Sequence, residues 1–205
     1  MTDWQRVSAD YDRCASEYIH ALGRVEQMAL PDRELIGQWR DSCSGPLLDA
    51  GCGPGHWTNF LCRDDREVVG VDLSEEFIGH ARAAYPEAKF KCGDFSQLPL
   101  PSDYCGGILA WYSLIHTYPS DVPEVLEEFA RVLRPSGSIF LGFFDGKDGE
   151  AFDHAVSPAF FRTLEGMGDD LRAAGFRIIQ FHRRTDPDSR PHAAVIARKP
   201  NFFTP

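Results

Sequence analysis

Leu47-Leu48-Asp49-Ala50-Gly51-Cys52-Gly53-Pro54-Gly55 is the stretch whose reading decides the fold. Pro46 to Ala50 reads as a short apolar strand, and it runs straight into a turn with three glycines. A helix follows near His56 to Cys62. A strand that enters a glycine turn and reopens as a helix brings main chain close to a ligand, because side chains there would obstruct the approach. Twenty-one residues after Gly51, the strand from Glu67 to Val71 ends at Asp72. A carboxylate at that tip can accept both hydroxyls of a ribose. The two features mark a nucleoside-binding crevice at the carboxyl ends of the strands.

The spacing of the turn narrows the nucleoside. Dinucleotide fingerprints run G-x-G-x-x-G and face a pyrophosphate. Here the glycines run G-x-G-x-G, His56 follows them, and Asp49 stands just before the first. A carboxylate there repels a pyrophosphate and suits the ammonium and sulfonium of S-adenosylmethionine.

Outward from this centre, strands and helices alternate. Ser74 caps a helix reaching Ala84, with Glu75 and Glu76 at its positive end. Lys89 to Cys92 and Cys105 to Trp111 read as strands, Val122 to Leu133 as a helix, and Ser138 to Phe144 as a strand. A glycine-rich connection, DGKDGEAFDH, then leads to a helix expected between Pro158 and Ala174. Phe176 to Arg183 and His192 to Arg198, separated by a turn rich in Asp, Pro and Ser, read as an antiparallel hairpin. Upstream, Trp4 to Leu22 is helical, with Tyr11, Ala15, Tyr18 and Leu22 on one stripe. A second helix follows Pro31 to about Trp39. Alternating units with a terminal hairpin imply an α/β parallel sheet carrying one antiparallel strand.

The 205 residues suit one domain, and a hydrophobic fraction of 43% with 25% charged residues suits a globular one. Net charge is −10, which opposes a polyanionic partner and points away from nucleic acid. No stretch approaches the roughly 18 apolar residues of a membrane span, and no apolar leader is visible at the start. The expectation is a cytoplasmic protein, monomer or homodimer. The six cysteines lack C-x-x-C spacing and read as small buried residues.

With these segments in order, the chain resembles the class I S-adenosylmethionine-dependent methyltransferases, particularly the small-molecule group that includes the ubiquinone and menaquinone biosynthesis type. LLDAGCGPG resembles the first motif of that family, VVGVDLSEEFIGHAR the second, KFKCGDFSQLPLPSD the third, GGILAWYSLIHTYP the fourth, and LRPSGSIFLGFF the motif of the fifth strand. The resemblance covers about Tyr11 to Lys199. It implies a Rossmann-like three-layer sandwich with a mostly parallel seven-stranded sheet, order 3-2-1-4-5-7-6, the last strand antiparallel. It also implies a helical lid over residues 1–45 on a methyltransferase domain at 46–205.

By the same resemblance, Cys52 stands among the cofactor-binding residues, and Asp49, Gly51, Gly53 and Gly55 meet the methionine part of the cofactor. Asp72 and Leu73 meet its ribose, and Asp94 and Phe95 its adenine. Trp111 and Tyr112 adjoin the cofactor and the transfer site, and Tyr11 and Tyr18 cover the cofactor. The product is S-adenosylhomocysteine and the partner a small-molecule methyl acceptor.

Several residues carry two readings. Asp94 either binds adenine or caps its loop, and Tyr11 and Tyr18 either touch cofactor or pack their helix. His116 and Tyr112 are the candidate catalytic residues, since both follow the fourth strand. His116 equally serves as pocket wall, and His154 and His192 are weaker candidates for a base. Phe143, Phe144, Phe160 and Phe161 read as core and pocket lining. Methyl transfer from a sulfonium needs alignment first, and a base only where the acceptor arrives protonated.

The fourth motif, Ala110-Trp111-Tyr112-Ser113, lacks the Asn/Asp-Pro-Pro-aromatic run of enzymes acting on nucleic-acid bases. It also lacks the acid with which catechol-type enzymes hold magnesium, so no metal is expected. A non-catalytic cofactor-binding protein and a nicotinamide-dependent oxidoreductase stay open as alternatives.

Overall fold

Apolar side chains along the central strands alternate between two faces, and this alternation fixes the layers. The computed structural model describes residues 3–187 and 189–201. Its elements are α1 (Asp3–Leu22), α2 (Leu30–Ser42), β1 (Leu47–Ala50), α3 (His56–Leu61), β2 (Val68–Asp72), α4 (Glu75–Ala84), β3 (Lys89–Cys92), β4 (Cys105–Trp111), α5 (Val122–Val132), β5 (Leu133–Phe144), β6 (Ala151–Phe152), β7 (Ala159–Phe160), α6 (Leu164–Ala173), β8 (Arg177–Arg184) and β9 (His192–Arg198).

On one face Leu48 and Ala50 of β1, Ile108 and Ala110 of β4, and Ile139, Leu141 and Phe143 of β5 pack with α5 and α6. On the other, Leu47, Leu109 and Phe140 meet Ile36 and Trp39 of α2 and Trp57 and Leu61 of α3. The amphipathic repeat of α5 buries Val122, Val125, Leu126, Phe129 and Val132. Five such side chains contribute about 1.5–3 kcal/mol each, before chain entropy is counted.

The sheet runs β3-β2-β1-β4-β5-β9-β8. Pairing is parallel from β3 to β5, and β9 is antiparallel to both β5 and β8. This is the expected seven-stranded order; only the numbering differs, because β6 and β7 form a separate two-stranded ribbon. Strand order reverses between β1 and β4, and in such sheets the crevice at that switch point takes the ligand.

Three expectations shift. The helix expected from Pro158 starts at Leu164, because Thr163 caps it by accepting from the N–H of Gly166 at 2.9 Å. Residues 159–160 are extended and pair with β6. The glycine-rich connection is therefore structured. Phe152 and Phe161 stack with centroids 4.2 Å apart, and buried Arg162 pairs with Asp148 at 2.9 Å and Asp170 at 2.6 Å. β5 begins at Leu133, ahead of the expected Ser138, with a register irregularity between Cys105 and Gly107 of its partner β4. Within the Asp-, Pro- and Ser-rich hairpin turn, residue 188 lies outside the described residues, as do residues 1–2 and 202–205 of the expected lid and domain.

Candidate functional site

At the head of β1 the chain turns through Gly51, Gly53 and Gly55, all left-handed, with φ of +77°, +51° and +90°. Two of them are needed for different reasons. A Cβ on Gly51 would stand 2.2 Å from Cβ of Ser113 and 3.1 Å from the Phe95 ring, so this glycine permits close packing. A Cβ on Gly53 would meet no atom within 4 Å. Gly53 faces open space, as a cradle for a ligand must.

β2 ties this turn down. Gly51 and Cys52 both donate their N–H to the carbonyl of Val71, at 2.8 and 3.1 Å, and Gly55 donates to the carbonyl of Cys52 at 3.0 Å. Gly53 donates to Asp72 Oδ2 at 2.8 Å, while Ser74 donates to Asp72 Oδ1 at 2.9 Å. Burial raises the Asp72 pKa, and the N–H groups of Ser74, Gly53 and Leu73 oppose that shift. Cys52 sends its side chain into an apolar cluster with Ile78, Ala81 and Phe90.

Asp49, 1% exposed, accepts from Thr58 Oγ1 at 2.7 Å. Burial pushes its pKa up to about 7, with the Thr58 hydrogen bond opposing and the neighbouring Asp72 charge adding. Such a carboxyl sits at the edge of ionisation and would be fully ionised by an arriving cation. Thr58 went unread in the sequence, although a hydroxyl in the first turn of α3 faces β1.

Asp94 accepts from the N–H of Ser96 at 2.8 Å and so caps residues 95–97. Phe95 is buried between Trp4 and Phe129, with centroids at 6.3 and 6.1 Å. The helix α1 crosses the tip of β2. Ser8 Oγ donates to the carbonyl of Leu73 at 3.0 Å, and Ser74 Oγ donates to Asp12 at 2.5 Å. Tyr11 and Tyr18 pack on Phe77 at 5.6 and 5.1 Å. Burial raises both phenols, Tyr18 to about 12, and the charge of Asp72 adds to each. The two tyrosines therefore both feel the charge of the same carboxylate.

His116 has both nitrogens engaged. Its Nδ1 meets the carbonyl of Pro158 at 2.8 Å, and its Nε2 meets the Tyr11 hydroxyl at 2.9 Å. A carbonyl only accepts, so Nδ1 carries the proton and Nε2 accepts from Tyr11. Burial lowers the pKa of this ring, with the Pro158 carbonyl opposing. A continuous arc of rings leads onward, from His116 to His154 at 5.1 Å, His154 to Phe144 at 6.2 Å and Phe144 to Tyr112 at 5.0 Å. Burial takes His154 down to about 4.

Trp111 and Tyr112 close β4 in different ways. Trp111 packs edge-on against Phe140 at 5.2 Å. Tyr112 is left-handed, at φ +57°, an uncommon state for a bulky residue. Its hydroxyl hydrogen-bonds to His192 Nδ1. Both residues line a cavity of about 390 Å³ between α2 and the β8–β9 hairpin. Across it Arg184 pairs with Asp32 through two contacts, one of 3.2 Å, and donates to Asp186 at 2.7 Å.

Two buried polar groups beside the glycine turn have no partner among the described residues: the Ser113 hydroxyl and both ring nitrogens of His56. Nothing in the sequence marks them, since an unpartnered group is visible only in three dimensions. Among the described residues, no three His, Cys, Asp or Glu side chains gather as a metal site requires.

Comparison with known proteins agrees with this geometry. Residues 47–137 match the family model described as a methyltransferase domain. The chain is 34% identical over 145 residues to a protein of Mycolicibacterium smegmatis named as a probable S-adenosylmethionine-dependent methyltransferase, covering 66% of this chain and 54% of that one. It is 30% identical over 138 residues to the malonyl-[acyl-carrier protein] O-methyltransferase of Serratia marcescens, covering 66% and 51%. The chain thus spans about half the length of these curated relatives.

Among solved structures, the [4+2]-cyclase SpnF is similar with a TM-score of 0.80 at 20% identity, covering 97% of this chain and 96% of that one. Magnesium protoporphyrin IX methyltransferase of Synechocystis gives 0.77 at 16% identity, covering 97% and 100%. At such identities the likeness is one of fold, and a cyclase shares it. Residues 47–137 thus match a methyltransferase domain, and the chain is similar over 145 residues to a relative named as a probable S-adenosylmethionine-dependent methyltransferase.

Proposed function

We propose that the chain binds S-adenosylmethionine and passes its methyl group to a small-molecule acceptor, leaving S-adenosylhomocysteine. The observation that carries this reading is the pair of carboxyls bracketing the glycine turn. Asp72 is held by the N–H of Gly53, and Asp49 lies buried beneath, while Gly53 itself opens on free space. A diphosphate would be repelled there, and a cationic nucleoside is held.

In this reading Asp72 accepts the ribose hydroxyls beside Leu73, and Asp94 and Phe95 bound the adenine. Asp49 answers the ammonium, and Gly51, Gly53 and Gly55 let the backbone come close. Cys52 contributes through shape alone, since its N–H is taken by Val71 and its thiol is turned into the core. The bound cofactor supplies an activated methyl group on sulfur. The chain must hold acceptor, carbon and sulfur in line and keep water out, for which positioning can supply up to roughly 7–11 kcal/mol.

The α1–α2 segment acts as the lid over the domain, with Tyr11 and Tyr18 above the cofactor. The acceptor takes the 390 Å³ cavity at the end of β4, beside Trp111 and Tyr112. His116 offers no free nitrogen, so a proton reaches it only through Tyr11. The acceptor is a small molecule, or an accessible end of a larger one such as the malonyl group named for the Serratia relative. Nucleic acid is disfavoured by the net charge of −10. No helix among the described residues is long and apolar enough to cross a membrane. Six free cysteines accord with a cytoplasmic setting.

Calorimetry with S-adenosylhomocysteine tests this. Wild type should bind, and Asp72→Ala should weaken binding a hundredfold or more, from two charge-assisted hydrogen bonds of about 1.5–3 kcal/mol each. Unchanged affinity in a folded variant would sink the assignment. Product formation across phenols, amines, thiols and acidic carbons separates methyl transfer from binding without chemistry.

A further inference from the structure

The glycine turn has used up its own donors. Gly51 and Cys52 give their N–H groups to Val71, Gly53 gives its own to Asp72, Gly55 gives its own to Cys52, and Pro54 has none. A cofactor with an amino-acid end brings a carboxylate as well as an ammonium. Asp49 and Asp72 repel that carboxylate, so it needs donors from elsewhere.

Two idle groups flank the turn. Ser113 packs against Gly51, with its Oγ 3.1 Å from where a Cβ on that glycine would lie, and this oxygen is buried without a partner. His56 follows Gly55 directly as the first residue of α3 and is 6% exposed, with Nδ1 and Nε2 both unpartnered. Side chains at a helix start lean toward its N-terminus, which for His56 means toward the turn. Buried polar groups are nearly always hydrogen-bonded, so those left open mark where a ligand completes them. By contrast His116, His154 and His192 each bond within the protein.

Resting on the reading of this site as one for S-adenosylmethionine, we propose that His56 and Ser113 are the donors that hold the carboxylate of the cofactor's amino-acid end. A neutral imidazole offers one N–H and a hydroxyl one O–H, enough to give each carboxylate oxygen a partner. Both are positioning residues, away from the methyl group being transferred.

The test compares S-adenosylhomocysteine with 5′-methylthioadenosine, which keeps the nucleoside and thioether and lacks the amino-acid end. Calorimetry on wild type, His56→Phe and Ser113→Ala should show each variant losing tenfold or more for S-adenosylhomocysteine. Affinity for methylthioadenosine should stay within about twofold. Because both groups are unpartnered without ligand, neither variant should melt below wild type. Variants that bind S-adenosylhomocysteine as wild type does, or that lose both ligands in parallel, overturn the proposal. Should His56→Phe fail to fold, Ser113→Ala decides alone. Wild type that binds neither ligand removes the methyl-donor reading, and this proposal with it.

Discussion

Tyr11, midway along α1, donates its hydroxyl to Nε2 of His116 at 2.9 Å, joining residues 105 positions apart. Together with Ser8 on Leu73 and Asp12 on Ser74, this bond fastens one helix across two strand tips. Tyr11→Phe leaves a buried acceptor unmet on His116, costing about 1–3 kcal/mol of docking free energy. Amide exchange in α1 should quicken, and S-adenosylhomocysteine should dissociate about tenfold faster in stopped flow, since 1.4 kcal/mol is a factor of ten. An unaltered dissociation rate would mean that the helix does not hold the ligand.

Asp49 makes the ligand-free protein less stable than it need be. Its folded pKa of about 7 lies above its ordinary 3.8. Its contribution is therefore fully present below about pH 3.8 and is lost as pH rises through 7. The full penalty is roughly 4 kcal/mol, at 1.36 kcal/mol for each pK unit. Asp49→Asn should accordingly raise Tm by several degrees at pH 8 and weaken S-adenosylhomocysteine sharply. Lower stability at pH 8 would show that the charge is compensated inside the fold.

His56 acts in the opposite sense. Burial holds its pKa at about 4, below the ordinary 6.5. Stability from this group is present above 6.5 and lost as pH falls toward 4, by roughly 3 kcal/mol at most. Between pH 4 and 6.5 the His56 slope opposes that of Asp49 and adds to that of His154. His56→Phe should remove its share, so that Tm climbs less steeply with pH than in wild type. A His56→Phe profile parallel to wild type would show that the ring is hydrated in the fold.

Gly51 and Gly53 should separate packing from binding. Alanine at 51 meets Ser113 at 2.2 Å in a left-handed backbone, and should cost about 3 kcal/mol or more. Alanine at 53 meets nothing and should cost only about 1–2 kcal/mol for its backbone. Yet its methyl occupies the cradle, so affinity for S-adenosylhomocysteine should fall much further than Tm. Equal loss of stability in both variants would contradict this division.

The sheet order was legible because β1, β2, β4 and β5 are apolar runs separated by helical repeats and glycine punctuation. The turn at Gly51–Gly55 and its distant Asp72 were legible for the same reason. The β6–β7 ribbon was not, since two-residue strands carry no periodicity and depend on Phe152 meeting Phe161 and Arg162 meeting two aspartates. The helix expected between Pro158 and Ala174 narrows to Leu164–Ala173, and Thr163, three residues before Gly166, is the cap signal that sets its start. At the site, the Tyr112–His192 contact joins residues 80 positions apart. The open valences of His56 and Ser113 depend on every neighbour being placed.

The ion pair between Asp32 and Arg184 ties the start of α2 to the end of β8, across the cavity from Tyr112. Neither residue belongs to the glycine turn or to the tip of β2. On the proposed reading, the groups that hold the methyl donor and those that face the acceptor therefore lie in different stretches of the chain. Exchanging the cavity-lining side chains at 182–184 and 192–194 should then change which molecules are accepted while affinity for S-adenosylhomocysteine stays as it is.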